Sequence, residues 1–343
     1  MKTKAAVLVG IGKPLEIQEL DVPSLQEGQC LVRIVAAGIC RTQLNEQAGL
    51  NGEDPYIPHL LGHEAAGWVE DIGLGVERVK AGDYVVVSWI KGGGADVGGG
   101  KYVNTSGEVV QAGGAAVFTE YAIVSENRVT RISREVPGEV AALLGCAVPT
   151  GVGVIWNTLD LQRGQCVAVF GIGGVGGAAI LGAKARGCDP IIAIDIVDDK
   201  LSIAKQLGAT HGLLNTSHDV IERVKEIVPQ GVDAAVEATG LTQVGELAFE
   251  AINKRGVLAF TGHPGRGAKV SLDPFMFIEG RSVVGSWGGD VVPEVDIAQY
   301  VEIYLQGGLP IDELITHRFD LDKVNEALGV LKAGQAGRII LNF

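Results

Sequence analysis

The sequence predicts a two-domain α/β protein, a doubly wound parallel sheet set into an antiparallel, barrel-like β domain. Three observations carry this reading. The first third is a series of short alternating or β-branched runs separated by turn residues. From about residue 148, apolar runs alternate with helical patterns. From about residue 290 the chain returns to helices and a last strand.

In the first third the runs are "AAVLVG", "LEIQELDV", "CLVRIVAAGI", "AAGWVEDIG", "DYVVVSWI", "FTEYAIVS" and "VTRIS". Their period of two and their regular turns suit antiparallel strands that close on themselves. The next runs are "CVAVF", "IIAID", "HGLLN", "VDAAVEA", "GVLAFTG" and "SVVGSW", with helical segments such as "HDVIERVKEIV" between them. Uniformly apolar strands spaced by helices are what a parallel sheet covered on both faces requires. The tail holds two helices around "LITHRFDL" and the strand "GRIILNF". We therefore expect residues 1–147 and 289–343 to form one domain and residues 148–288 to form an inserted nucleotide-binding domain.

Composition narrows the function. The chain has 343 residues, of which 47% are hydrophobic and 20% charged, so it can bury full cores without disulfides. With 41 acidic against 28 basic residues the net charge is −13, which argues against nucleic acid or an anionic membrane surface as a main partner. The N-terminal apolar run is too short for a signal peptide. The uncharged stretches 140–159 and 166–183 are interrupted by Pro149, Thr150 and Asn157 and by six glycines respectively, and read as buried core rather than membrane spans. The odd set Cys30, Cys40, Cys146, Cys166 and Cys188 suggests thiols or metal ligands in a cytoplasmic protein.

The stretch "CVAVFGIGGVGGAAILGAKARGCDPIIAID" is the most informative. A strand runs into Gly171, Ile172, Gly173, Gly174, Val175 and Gly176, a helix follows, and the next strand ends at Asp195, nineteen residues past the last fingerprint glycine. Together these are the Rossmann dinucleotide-binding pattern. The first glycine allows the turn, the second lets the backbone approach a pyrophosphate, and the third lets helix and strand pack closely. The helix N-terminus offers N–H groups to phosphate. Asp195 would bind the adenosine ribose hydroxyls and repel a 2′-phosphate, favouring NAD. Lys200 either reaches the same hydroxyls or is a solvated helix lysine.

Cys40 in "GICRTQLNE", His63 in "LGHEAAGWVEDIG" and Cys146 in "GCAVPTGVG" make a Cys/His/Cys set with a fourth position left open. Such a set suits a catalytic zinc with a water or substrate oxygen as its last ligand. The three are dispersed, and read singly each has a plainer alternative, since buried cysteines serve as small hydrophobes.

These residues carry a resemblance. The motifs "GICRT", "GHEAAGWVEDIG", "GVERVKAGDYVVV", "GCAVPTGVG", "FGIGGVGGAAILGAKARG", "AIDIVDDKLSIAKQLGAT", "LITHRF" and "GQAGRIIL" run essentially end to end. They resemble the zinc-dependent medium-chain alcohol dehydrogenases, most closely classes I and III. The resemblance implies a GroES-like catalytic domain beside the Rossmann domain, with NAD and one catalytic zinc. By this resemblance Cys40, His63 and Cys146 are the zinc ligands, and Glu64 sits behind the metal as an alternate ligand. It likewise makes Arg41 and Arg338 pyrophosphate contacts and Thr42 the hydroxyl that passes the substrate proton. Trp89 falls where relatives have a pocket aromatic. With Phe118 it lines a substrate slot, or both belong to the core. The implied reaction is reversible hydride transfer between NAD(H) and an alcohol, with zinc acting as Lewis acid. Relatives pair through the nucleotide domain, so a homodimer or homotetramer is implied.

Three departures stand out. "KGGGADVGGG", residues 91–100, contains six glycines and occupies the place where class I and III relatives carry a cysteine-rich lobe for a structural zinc. No cysteine lies between Cys40 and Cys146, so the segment reads as a replacement for that lobe, with no structural zinc. A phosphate cradle and a mobile flap are the other readings. Gln43 stands where most relatives have an aspartate behind the zinc, and Asn45 where some have the histidine that ends the proton relay. Two rivals remain: a zinc-free quinone or enal reductase of the same superfamily, which would lack the Cys/His/Cys set, and a non-enzymatic NAD-binding protein. His263, in "TGHPG", is assigned no role.

Overall fold

The computed structural model describes residues 1–50, 52–216 and 219–343. It divides into two compact units. One comprises 1–146, 292–306 and 315–343, and the other comprises 147–291 and 307–314.

The first unit is built mainly from antiparallel strands, with parallel pairings of Ile315–Asp320 to Arg338–Asn342 and of His59 to Gln111. A closed barrel is formed by Lys2–Leu8, Glu16–Asp21, Lys101–Asn104, Val109–Gln111 and His59–Leu60. A second sheet runs in the order Val129–Arg131, Tyr84–Ser88, Glu64–Ile72, Gln29–Ile39, Arg338–Asn342, Ile315–Asp320, with Tyr121–Ser125 also paired to Gln29–Ile39. The C-terminal strand Arg338–Asn342 pairs antiparallel with Gln29–Ile39, matching Ile339 to Ile39 and Leu341 to Ala37. This pairing draws the tail into the first unit. The alternating patterns bury Ile34, Val85, Val87, Phe118 and Ile339 in one cluster. Three of the strands, Lys101–Asn104, Val109–Gln111 and His59–Leu60, were not expected. They are only two to four residues long and too short to show a period.

The second unit holds a six-stranded parallel sheet in the order His211–Leu214, Ile191–Asp195, Val167–Phe170, Val232–Glu237, Ile252–Phe260, Ser282–Gly285. In sequence order that is 3-2-1-4-5-6, the dinucleotide-binding arrangement, whose ligand crevice opens at the carboxyl end of the first strand. Phe170, Ile192, Val232, Phe249 and Leu258 fill its core. The helix expected over "HDVIERVKEIV" is Val220–Ile227; His218 lies outside the described residues.

The glycine-rich segment 91–100 is bonded along its length. Gly92 N donates to Asn127 O at 2.8 Å, Asn127 N to Ala95 O at 3.1 Å, and Gln29 Nε2 to Gly98 O at 2.9 Å. Val97 N donates to Ser125 Oγ at 2.9 Å, and Ser125 Oγ to Ala95 O at 2.7 Å. Glu126, 3% exposed, receives Ala95 N at 2.8 Å on one carboxylate oxygen, and Glu77 N at 2.7 Å and Arg78 N at 2.9 Å on the other. Glycine is needed here for close approach: a Cβ on Gly99 would lie 2.2 Å from Gly113 O, and one on Gly94 2.7 Å from a Glu126 oxygen. These bonds run against the flap reading.

Candidate active site and metal centre

Three elements of the first unit converge. Cys40 is the N-cap of helix Arg41–Gln47, His63 precedes strand Glu64–Ile72, and Cys146 follows helix Gly138–Leu143. Glycines make this approach possible. A Cβ on Gly145 would sit 2.4 Å from Val87 O and 2.8 Å from Glu64 Cα. Ser88 Oγ donates to Gly145 O at 2.7 Å and fixes the turn ahead of Cys146. As a result one ligand atom from each of Cys40, His63 and Cys146 lies within 4.8 Å of the others. That distance suits two thiolates and an imidazole around one ion.

The electrostatics favour a thiolate. A hydrogen bond from Cys146, together with His63 and the Arg338 guanidinium, holds the Cys40 thiol well below its ordinary range, against the opposing effect of burial. His63 Nε2 is buried and has no hydrogen-bond partner, while Nδ1 lies 2.8 Å from Gln43 Nε2. An orphaned imidazole nitrogen beside two sulfurs fits a metal, so the residues present match the ion the sequence implies.

Glu64 and Arg338 form a buried ion pair behind this cluster. Glu64 is fully buried, and a Cβ on Gly38 would come within 2.5 Å of its Oε1 and 2.9 Å of Arg338 Nη2. Glu64 is not among the three residues whose ligand atoms converge. Burial lowers the Arg338 pKa, opposed by the nearby Cys40 sulfur. Thr42 Oγ1 is 3.6 Å from Cys40 Sγ.

His63 opens onto a cavity of about 670 Å³, also lined by Trp89, Leu61, Ala115, Glu46 and Arg128. Burial raises the Glu46 pKa. On the same wall His59 Nε2 is 2.8 Å from Asp54 Oδ2. Trp89 therefore lines a cavity, whereas Phe118 does not. Phe118 is 0% exposed and packed in the core, where a Cβ on Gly62 would meet its ring at 2.5 Å. Of the two readings of this aromatic, the burial of Phe118 in the core cluster favours the core one. Arg41 and Asn45 lie instead on a second cavity of about 440 Å³, with Lys332 and Asn325. Glu46, Arg128 and the Asp54–His59 pair were not foreseen, because they lie on separate short elements or a loop whose local spacing does not mark that they meet around one cavity.

In the second unit the fingerprint behaves as its physics requires. Gly171 has φ of +91°, and a Cβ on Gly176 would lie 1.9 Å from Gly171 O. A Cβ on Gly173 would meet nothing within 4 Å, so that glycine leaves an open cradle at the N-terminus of helix Gly174–Arg186. Packing does not demand glycine there, which fits a dinucleotide phosphate approaching the backbone. Asp195 Oδ2 accepts from Ile172 N at 2.6 Å and Oδ1 from Val197 N at 3.0 Å, tying this acid to the glycine turn. Ile172 is buried, Gly174 and Val175 are half-buried in the first turn, and Lys200 is half-buried on helix Asp198–Leu207.

A Rossmann-type sheet combined with a barrel unit bearing a Cys/His/Cys centre defines a zinc-site oxidoreductase of the medium-chain type. Comparison with known proteins gives the family. Residues 26–134 match the "Alcohol dehydrogenase GroES-like domain" and residues 174–305 match "Zinc-binding dehydrogenase". The chain is 33% identical over 372 aligned positions to an S-(hydroxymethyl)glutathione dehydrogenase of Synechocystis, covering 100% of both. A solved alcohol dehydrogenase zinc-binding domain protein from Burkholderia ambifaria has a TM-score of 0.93 at 32% identity, covering 100% of this chain and 99% of that one. A benzyl alcohol dehydrogenase from Acinetobacter calcoaceticus has a TM-score of 0.91 at 30% identity, with the same coverage. The chain belongs to the zinc-dependent medium-chain alcohol dehydrogenase family. No helix among the described residues is long and apolar enough to cross a membrane.

Proposed function

We propose that the protein is an NAD-dependent alcohol dehydrogenase, with Cys40, His63 and Cys146 holding one catalytic zinc. The carrying observation is the convergence of those three ligand atoms within 4.8 Å, on residues 106 positions apart in sequence at the extremes. When bound, zinc supplies Lewis-acid polarisation of the substrate oxygen, and NAD supplies the hydride acceptor.

The chain's own residues do the rest. Cys40, as a thiolate, and His63 Nε2 provide the donor set. Thr42 Oγ1 is placed beside Cys40 to take the proton of the substrate hydroxyl. Glu64 and Arg338 neutralise each other in the interior and keep the Cys40 sulfur next to a positive charge. Gly173 admits the pyrophosphate, and Arg41 is a candidate second contact for it. Asp195, with Lys200 near by on the following helix, selects NAD over its 2′-phosphorylated form by charge repulsion. Trp89 and Leu61 give the cavity beside His63 an apolar wall, so the favoured substrate is an alcohol with a hydrophobic or aromatic body.

The names of the relatives supply the test panel. Purified protein is assayed for zinc content and for NADH formation with benzyl alcohol, S-(hydroxymethyl)glutathione and short aliphatic alcohols, using NAD and NADP in parallel. We expect one zinc per chain, activity that disappears on chelation, and preference for NAD and for the bulkier alcohols. Full activity in zinc-free protein would overturn the assignment.

A further inference from the structure

Gln43 contacts both Cys40 and His63 by hydrogen bonds. It is fully buried at the third position of helix Arg41–Gln47. Its Oε1 accepts from Cys40 N at 2.7 Å, and its Nε2 faces His63 Nδ1 at 2.8 Å. The first contact is half of a capping box, in which Gln43 reaches back to the N-cap amide. The second sets an NH2 donor against His63 Nδ1, a contact that forms only in the tautomer whose Nδ1 carries no proton.

That tautomer opposes the metal. It puts the proton on His63 Nε2, a buried nitrogen that can ligate only after losing it. A neutral ligating imidazole then carries its proton on Nδ1, which needs an acceptor. A carboxamide has a single acceptor atom, and here two donors face it, the Cys40 amide and Nδ1–H. Exchanging the positions of oxygen and nitrogen in the amide does not help, because it sets NH2 against the Cys40 N–H instead. A carboxylate of the same length would satisfy both.

We infer that Gln43 is a positioning residue that couples zinc binding to the helix cap. The metal-free protein has His63 protonated on Nε2 and the cap closed. Zinc loading moves the proton to Nδ1, turns the Gln43 oxygen to His63 and opens the Cys40 N–H. The metal is held more weakly than the three ligands alone would hold it. The inference rests on the zinc reading above and deepens it.

The test uses the full chain. Zinc affinity is measured by chelator competition for the native protein, Gln43→Glu and Cys146→Ser. If the native protein takes up no zinc, or Cys146→Ser takes it up equally well, the zinc reading fails. If zinc binds through the cluster, Gln43→Glu should bind about 10- to 100-fold tighter, the range usual for altering the partner of a metal-bound histidine. Equal or weaker binding overturns the inference. Because an added charge alone could tighten binding, amide hydrogen exchange at Cys40 supplies a second readout. Exchange should speed up at least about tenfold on zinc loading of the native protein and stay slow in Gln43→Glu, since a satisfied amide exchanges only on local opening. Unchanged exchange at Cys40 in the native protein, or a nitrogen-15 spectrum showing His63 Nδ1 already protonated without metal, also overturns it. The native-protein measurements stand even if Gln43→Glu fails to fold.

Discussion

Removing the Glu126 carboxylate tests how the glycine-rich segment is held. Glu126 is 3% exposed and accepts three backbone N–H groups, from Glu77 at 2.7 Å, Arg78 at 2.9 Å and Ala95 at 2.8 Å. Each donor left without a partner costs about 1–3 kcal/mol if it stays dry. The residues that carry these amides are half-buried or exposed, so water admitted by truncation should recover part of this. Glu126→Ala is therefore expected to cost about 2–4 kcal/mol, a fall in Tm of roughly 5–15 °C for a unit of this size. Glu126→Gln separates the two ends of the carboxylate. Its Oε1 keeps the Glu77 and Arg78 amides, while its NH2 is set against Ala95 N–H, at a cost of about 1–2 kcal/mol.

The pH dependence of the native protein follows from the same contacts. Burial works against the Glu126 charge, but the amides of Ala95, Glu77 and Arg78 and the Arg78 charge together hold its pKa below the usual carboxylate value. A depressed folded-state pKa stabilises the protein above the unfolded value and is lost as pH falls through the folded one. That acid-side loss should be absent in Glu126→Gln. Thermal unfolding at pH 7 and pH 4, with amide exchange at Ala95, measures all of this. A Tm change under about 2 °C for Glu126→Ala would refute the reasoning.

Other outcomes follow from the same geometry. Cys146→Ser should lower zinc content to well below one per chain and remove alcohol-dependent NADH formation, with far-UV circular dichroism unchanged. Gly173→Ala should raise the KM for NAD while leaving Tm within about 2 °C, because its Cβ meets no protein atom. Gly176→Ala should destabilise the fold itself, since its Cβ would fall 1.9 Å from Gly171 O, and calorimetry distinguishes the two. Asp195→Ser should shift the ratio of kcat/KM from NAD toward NADP by tenfold or more, with some loss of stability because Ile172 N loses its acceptor; an unchanged ratio would remove Asp195 from cofactor selection.

Much of this was legible in the residue order, because the relevant physics is local. Strand, glycine turn, helix and acid lie within thirty residues from Cys166 to Asp195, and Gly171 and Gly176 have steric reasons readable from the motif. The alternation of apolar runs with helices determined the parallel sheet, and the switch to period two determined the antiparallel unit. The metal centre was legible only as three separate candidates. Their spacing, from 40 to 63 to 146, carries no geometric information, and resemblance had to join them.

Only the tertiary structure decided what depends on distant backbones meeting. Strand pairing brings Arg338 from the tail onto Glu64, behind Cys40. The turn at Gly145 sets Cys146 against the strand after His63. Phe118 goes into the core while Trp89 faces a cavity, a choice that depends on which face of each segment the barrel covers. Residues 91–100 look loose because glycine lacks side-chain contacts. They are held by bonds from their main chain to the backbone of Asn127 and to the side chains of Ser125 and Glu126, whose partners a linear reading cannot supply, since a hydrogen bond from a main-chain amide leaves no mark on the identity of the residue that makes it.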